Sequence, residues 1–209
     1  MTDREPGVLL DVLEEARDLG LLGPGPIARQ YEHAHDLARG IGECRGRVLD
    51  LGSGGGLPGL VLFRLWPEAS GVLLDAQRRR CEFLGRAVAT LDLGSRVSVE
   101  CGRAEVLARD DRLRGKFDLV VARSFGPPAV TAECAVGFLR SGGELVVTEP
   151  PEVDGSSARW DQPALAELGF GAPMPIRVAE TGAVRIPVVG TVDDRWPRRD
   201  GVPTKRPLW

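Results

Sequence analysis

Asp50-Leu-Gly-Ser-Gly-Gly-Gly56 is the stretch of this sequence in which residue type and spacing bear most directly on chemistry. Glycines at 52, 54 and 56 follow a short apolar run, so the chain can turn tightly there. With no Cβ in the way, backbone N–H groups and the start of the next helix can approach a ligand closely. The spacing differs from the Gly-x-Gly-x-x-Gly dinucleotide fingerprint, and no Lys-Ser/Thr pair follows, which excludes a phosphate-cradling P-loop. Further on, Asp75 closes a second apolar run, where a carboxylate can accept hydrogen bonds from ribose hydroxyls. A ligand-free glycine turn and a helix-capping carboxylate are the plain alternatives at these positions. No Ser/His/Asp set and no metal-ligand cluster accompanies them, so no catalytic side chain and no metal are expected. His33 and His35 read as packing or surface residues.

These residues need elements to hold them. Arg47–Leu51, Gly71–Asp75, Arg96–Glu100, Phe117–Ala122 and Glu144–Thr148 read as buried strands. Helices are expected near Pro58–Trp66, through Phe83–Leu91 and over Ala129–Leu139, the last ending at Ser141-Gly-Gly143. Strands alternating with helices predict an α/β, doubly wound, mostly parallel sheet covered on both faces. In such sheets ligands sit beyond the carboxyl ends of the strands. That rule selects Ser53–Leu57, Asp75, Gly102–Glu105, Arg123 and Glu149.

Met174–Ala179 and Ala183–Val189 predict an antiparallel hairpin at the sheet edge. Pro150–Gln162 reads as a mobile loop before a short helix near Pro163–Leu168. Two amphipathic helices, near Val8–Leu19 and Ile27–Ile41, flank Gly23-Pro-Gly-Pro26. The expected organisation is a helical extension (1–45), a central domain (46–190) and a basic tail (191–209).

The 209 residues suffice for one substantial core and not for two ordinary domains. Net charge is −3, mildly unfavourable for a nucleic-acid binder. Locally, Arg195, Arg198, Arg199, Lys205 and Arg206 against Asp200 make a basic stretch suited to phosphates, a solvated tail being the plain alternative. Trp196 and Trp209 could stack on bases or anchor the tail to the core. The cysteines at 44, 81, 101 and 134 form no Cys-x-x-Cys pair and are expected to be reduced structural thiols. With no apolar stretch near the roughly 20 residues that span a bilayer, a cytoplasmic protein with no membrane partner is expected.

Asp50, the glycines and Asp75 together form the pattern of the class I S-adenosylmethionine (SAM)-dependent methyltransferases. The sequence further resembles the bacterial 16S rRNA methyltransferase G family, also called glucose-inhibited division protein B. The resemblance rests on Asp50-Leu-Gly-Ser-Gly-Gly-Gly-Leu-Pro-Gly59, Leu73-Leu-Asp75 with Arg78-Arg-Arg80, Gly102-Arg-Ala-Glu105 and Ala122-Arg-Ser-Phe125. It extends to the ending Trp196-Pro-Arg-Arg-Asp-Gly-Val-Pro-Thr-Lys-Arg-Pro-Leu208, and Gly20–Pro24 and His33-x-x-Asp36 are similar to a stretch preceding the family's fold.

The resemblance implies methyl transfer from SAM to N7 of a guanine in 16S rRNA, with the small ribosomal subunit as partner. It implies cofactor contacts at Gly52, Gly54, Gly56, Leu57, Asp75, Ala104, Glu105 and Arg123. Substrate contacts are implied at Arg123, Arg198, Arg199, Lys205 and Arg206. The N7 lone pair needs no deprotonation, so positioning can supply most of the acceleration.

Two departures fall on the substrate side. The family's lysine after strand five is replaced in Val146-Val-Thr-Glu-Pro150 by Glu149, unfavourable near a polyanion. The family's amino-terminal Trp-Asn and Asn-Leu-Thr elements are missing or shortened. Two other readings stay open: a divergent relative acting on another RNA or a small molecule, and a SAM- or RNA-binding module without catalysis.

Overall fold

Alternation along the central strands decides how the chain is layered. In β1 (Arg47–Leu51), Val48 packs into one apolar cluster, while Leu49 and Leu51 enter a second on the opposite face. In β4 (Phe117–Ala122), Leu119 and Val121 take the first face, Val120 and Ala122 the second. Strands buried on both faces need helices on both, as in parallel α/β sheets.

The computed structural model describes residues 6–150, 159–179 and 181–209. The other strands are β2 (Ser70–Asp75), β3 (Val97–Cys101), β5 (Leu139–Thr148), β6 (Met174–Val178) and β7 (Thr181–Pro187). Their order is β3-β2-β1-β4-β5-β7-β6, parallel from β3 to β5, with β7 antiparallel to both neighbours. The strand order reverses between β1 and β4, the switch point at which ligands of such sheets sit.

Helices α1 (Pro6–Asp18), α2 (Ile27–Ile41), α3 (Gly59–Leu65) and α4 (Arg78–Thr90) cover the first face. Leu9, Leu13, Leu37 and Phe63 share one cluster, so the two amino-terminal helices belong to the same core as the sheet. The second face carries α5 (Ala104–Leu107), α6 (Pro128–Val136) and α7 (Gln162–Glu167). Helix α8 (Val202–Lys205) packs against α6. Trp196, 3% exposed, anchors the 191–209 segment here, its Nε1 donating to the Glu167 carbonyl at 3.3 Å. The basic stretch is thus folded onto the protein rather than trailing from it. Among the described residues no helix is long and apolar enough to cross a membrane, and no cluster of metal-ligating side chains occurs.

Three local expectations are corrected. The helix beginning near Ala129 stops at Val136, and Ser141-Gly-Gly143 lies inside β5. The pairing jumps from Phe117↔Leu139 to Leu119↔Glu144, and Gly142 (φ +73°) takes up the extra residues as a bulge. Cys81 and Cys101 are joined in a disulfide, not reduced, because α4 returns past the end of β3 and brings their Cα atoms to 5.8 Å. Cys44 and Cys134 are free. Of the expected loop at Pro150–Gln162, residues 151–158 lie outside the described residues, while Trp160 is buried and Gln162 opens α7.

Candidate active site

The glycine loop is held from below before it can hold anything above. Asp50, fully buried at the end of β1, accepts the Gly59 N–H on Oδ2 at 3.0 Å. Burial, the largest influence on this carboxyl, pushes its pKa up to about 7, against the opposing Gly59 hydrogen bond. Asp50 has no access to solvent, so its shifted titration belongs to loop support rather than proton transfer. The N–H groups of Gly52 and Ser53 both donate to the Leu74 carbonyl at 2.9 Å, tying the turn to β2. Gly52 has φ +77°, and a Cβ there would stand 2.7 Å from the Phe125 ring. Gly56 (φ +96°) faces Leu60 instead, so it shapes the turn without bordering the cavity above.

Asp75 is the second anchor. Its side chain is 4% exposed, and its two oxygens take separate backbone donors: Gly54 N–H to Oδ2 at 3.0 Å and Gln77 N–H to Oδ1 at 2.8 Å. An ionised carboxylate has about four lone-pair sites, so acceptor capacity remains for a ligand. The Arg80 guanidinium reaches Oδ2 at 3.4 Å.

Above lies a cavity of about 250 Å³ bordered by Gly52, Ser53, Gly54, Leu57, Arg80 and Arg123. Leu21, Leu22, Gly23 and Gln30 roof it from the amino-terminal segment, a contribution that sequence reasoning missed. Its signal was Gly23-Pro-Gly-Pro26, which bends the chain back over the sheet.

Arg123, at the end of β4, borders two cavities. Its Nη2 donates to Gln30 Oε1 at 3.3 Å, and its buried Nη1 has no hydrogen-bond partner among the described residues. Burial pushes this guanidinium below its usual range, against the pull of Asp50. The second cavity, about 310 Å³, shares Arg123 and Ser124 with the first. His33, Phe125, Thr148, Glu149, Arg159 and Trp160 complete most of its wall.

Glu149, expected as an anion in place of the family's lysine, is buried and paired. Its Oε1 accepts the Trp160 indole N–H at 2.7 Å, and its Oε2 meets the Arg159 guanidinium. The Arg159 guanidinium offsets the charge at 149. The sequence signal was the acid itself, since a carboxylate at a buried strand end needs a partner.

Other expected site residues are engaged elsewhere. Glu105, 3% exposed, accepts from Arg103 Nη2 at 2.5 Å and from Gly201 N–H at 3.1 Å, and borders neither cavity. Burial alone would oppose its ionisation, but Arg103 and the backbone donors hold it below the usual carboxylate range. Ala104 is buried beside it. Arg198 is turned inward: its Nε and Nη2 fork onto fully buried Glu133 at 2.8 and 2.6 Å, leaving no fork for a phosphate. Arg199, Lys205 and Arg206 are exposed.

A family model for rRNA small subunit methyltransferase G (GidB) matches residues 29–150. The chain belongs to this family. The small subunit methyltransferase G of Deinococcus deserti is 35% identical over 175 residues, covering 78% of this chain and 68% of the relative. That of Roseiflexus castenholzii is 31% identical, over 87% and 79%. Among solved structures, an O-methyltransferase from Bacillus cereus in complex with S-adenosylhomocysteine has a TM-score of 0.60 at 17% identity, over 90% of this chain and 93% of that one. The O-methyltransferase TomG from Streptomyces achromogenes, in complex with SAM, gives 0.61 at 21%, over 90% and 92%. The fold is that of the class I SAM-dependent methyltransferases. As a methyltransferase G family member, the chain is a SAM-dependent methyltransferase.

Proposed function

We propose that this protein methylates N7 of a guanine in 16S rRNA, acting in the cytoplasm on the small ribosomal subunit. The supporting observation is the junction of two cavities at Arg123 and Ser124. One has features suited to a nucleoside cofactor: a turn with no Cβ at Gly52 and a buried Arg123 Nη1 without a hydrogen-bond partner among the described residues, with the buried Asp75 carboxylate just behind the wall, accepting from Gly54 N–H. When bound, SAM supplies a methyl group activated by its sulfonium. Asp75 would hold the ribose hydroxyls, and Gly52, Gly54 and Leu57 would line the cofactor. Arg123, between the cavities, would orient donor and acceptor together.

Guanine N7 carries a lone pair at neutral pH, so no residue has to remove a proton. The nearest strongly shifted acid, Asp50, lies beneath the loop, and the second cavity is walled mainly for shape and hydrogen bonding. Positioning is therefore the principal contribution expected of these side chains.

The test uses labelled SAM with small subunits from a strain lacking the modification. Label should appear in 16S rRNA, at a guanine that becomes sensitive to borohydride and aniline cleavage. Binding of SAM without label in rRNA would overturn the acceptor assignment.

A further inference from the structure

We propose that Glu149 reads the acceptor base, its two carboxylate oxygens accepting the N1–H and N2–H groups of guanine. The proposal deepens the rRNA-guanine reading and rests on it. Glu149 directly follows the last residue of β5, its N–H donating to the Gly182 carbonyl at 2.9 Å, so backbone pairing fixes its position. Its side chain is 7% exposed, yet it borders the second cavity. Among the described residues each oxygen has one donor, Trp160 Nε1 on Oε1 and Arg159 on Oε2. With two lone pairs on each oxygen, one further site per oxygen stays open. Two adjacent open acceptors suit two adjacent donors.

Among the four RNA bases, only guanine offers a ring N–H beside an exocyclic amine on its Watson–Crick edge. Adenine would set its N1 lone pair against the carboxylate, which a buried anion disfavours strongly. The orientation also agrees with the chemistry. N7 and O6 of guanine are both acceptors and lie together on another edge of the ring. That edge suits the end of the cavity bordered by Arg123 and Ser124, the two residues shared with the cofactor cavity. Glu149, Arg159 and Trp160 line the second cavity alone.

Arg159 removes the electrostatic objection to an acid at an RNA site, because the pair is neutral overall. Its side chain is 39% exposed at the rim, where it can also meet a phosphate.

The test measures binding of guanosine, inosine and adenosine 5′-monophosphates to the full chain, saturated with S-adenosylhomocysteine to occupy the cofactor cavity. Inosine differs from guanosine only in lacking the 2-amino group. The wild-type protein should bind the guanosine nucleotide at least tenfold more tightly than the other two. Glu149→Gln, which keeps an oxygen for Trp160 but loses the charge, should bring guanosine and inosine within about twofold. A carboxylate that merely anchored the segment after residue 158 would change affinity for all three nucleotides alike. Equal binding of guanosine and inosine nucleotides by the wild-type protein would overturn the proposal without reference to any variant. So would an undiminished preference in Glu149→Gln. The rRNA labelling experiment is independent of this comparison: guanosine selectivity without labelled rRNA would retain the pocket and remove the ribosomal substrate.

Discussion

Replacing Asp75 with Asn alters one atom in the side chain on which the cofactor assignment depends most. The carboxylate already satisfies Gly54 N–H and Gln77 N–H, one on each oxygen. Two ribose hydroxyls would take the open lone pair of Oδ1 and displace the 3.4 Å Arg80 contact on Oδ2, each as a charge-assisted bond contributing about 1.5–3 kcal/mol. The amide keeps one oxygen, so one such bond is lost outright and the other loses its charge. A combined loss of about 2–3 kcal/mol corresponds to roughly 30- to 150-fold weaker SAM binding, at about 1.4 kcal/mol per tenfold. The amide nitrogen must also face Gly54 or Gln77, where it repels an N–H, so a stability loss of about 1 kcal/mol should accompany the change. Arg80 reaches Asp75 only at 3.4 Å with a side chain 34% exposed, so Arg80→Ala should change affinity far less. Calorimetric titration with SAM reads both variants, and circular dichroism confirms folding. A folded Asp75→Asn protein binding SAM within threefold of wild type would refute the ribose role.

Three further outcomes are expected. Asp50 keeps its proton in the folded chain up to about pH 7, whereas the unfolded chain releases it near 3.8, so stability falls as pH rises between those values and stays low above. The span of about three pKa units corresponds to about 4 kcal/mol, of which about 2–3 kcal/mol falls between pH 5 and pH 8, where urea denaturation should show a decline that Asp50→Asn flattens; parallel pH profiles would contradict this. Reducing the Cys81–Cys101 bond frees a loop closed across a separation of 20 residues, at a loss of about 3 kcal/mol in the chain-entropy model. Tm should drop by roughly 6–12 °C, and an unchanged Tm under a phosphine reductant would count against the bond. Arg198→Ala strands the buried Glu133 carboxylate and should cost of order 3 kcal/mol of stability. Arg199→Ala should leave stability alone and lower the salt slope of RNA binding by about 1, and the opposite pattern would show that the two arginines had been assigned the wrong way round.

How much of this was legible in the sequence depends on whether a residue's partner was near it along the chain. The central strands were visible because each buries both faces, and the loop because glycines cannot hide a tight turn. Asp75 was legible for the same reason, as an acid at a strand end. Partners distant in sequence were not. Arg198 and Glu133 are 65 positions apart and meet only once the tail folds against α6. A glutamate inside the otherwise apolar Ala132–Val136 run was the clue that some cation must come to it. Cys81 and Cys101 carry no motif spacing, and their meeting follows from the return of α4 past β3. Ser141-Gly-Gly143 was misread because glycines end helices as readily as they permit bulges. Glu149 looked like a flaw in the pattern until Arg159 was seen to complete it.

Arg123 carries a thermodynamic corollary. A guanidinium that borders both cavities, held on one side by Gln30, makes occupancy of one felt in the other. If a bound cofactor fixes it in the orientation that the acceptor needs, the acceptor must tighten the cofactor by the same factor, since coupling between two equilibria is reciprocal. Order of arrival then becomes a matter of concentration rather than of mechanism, with one arginine setting the interval between empty and fully loaded states.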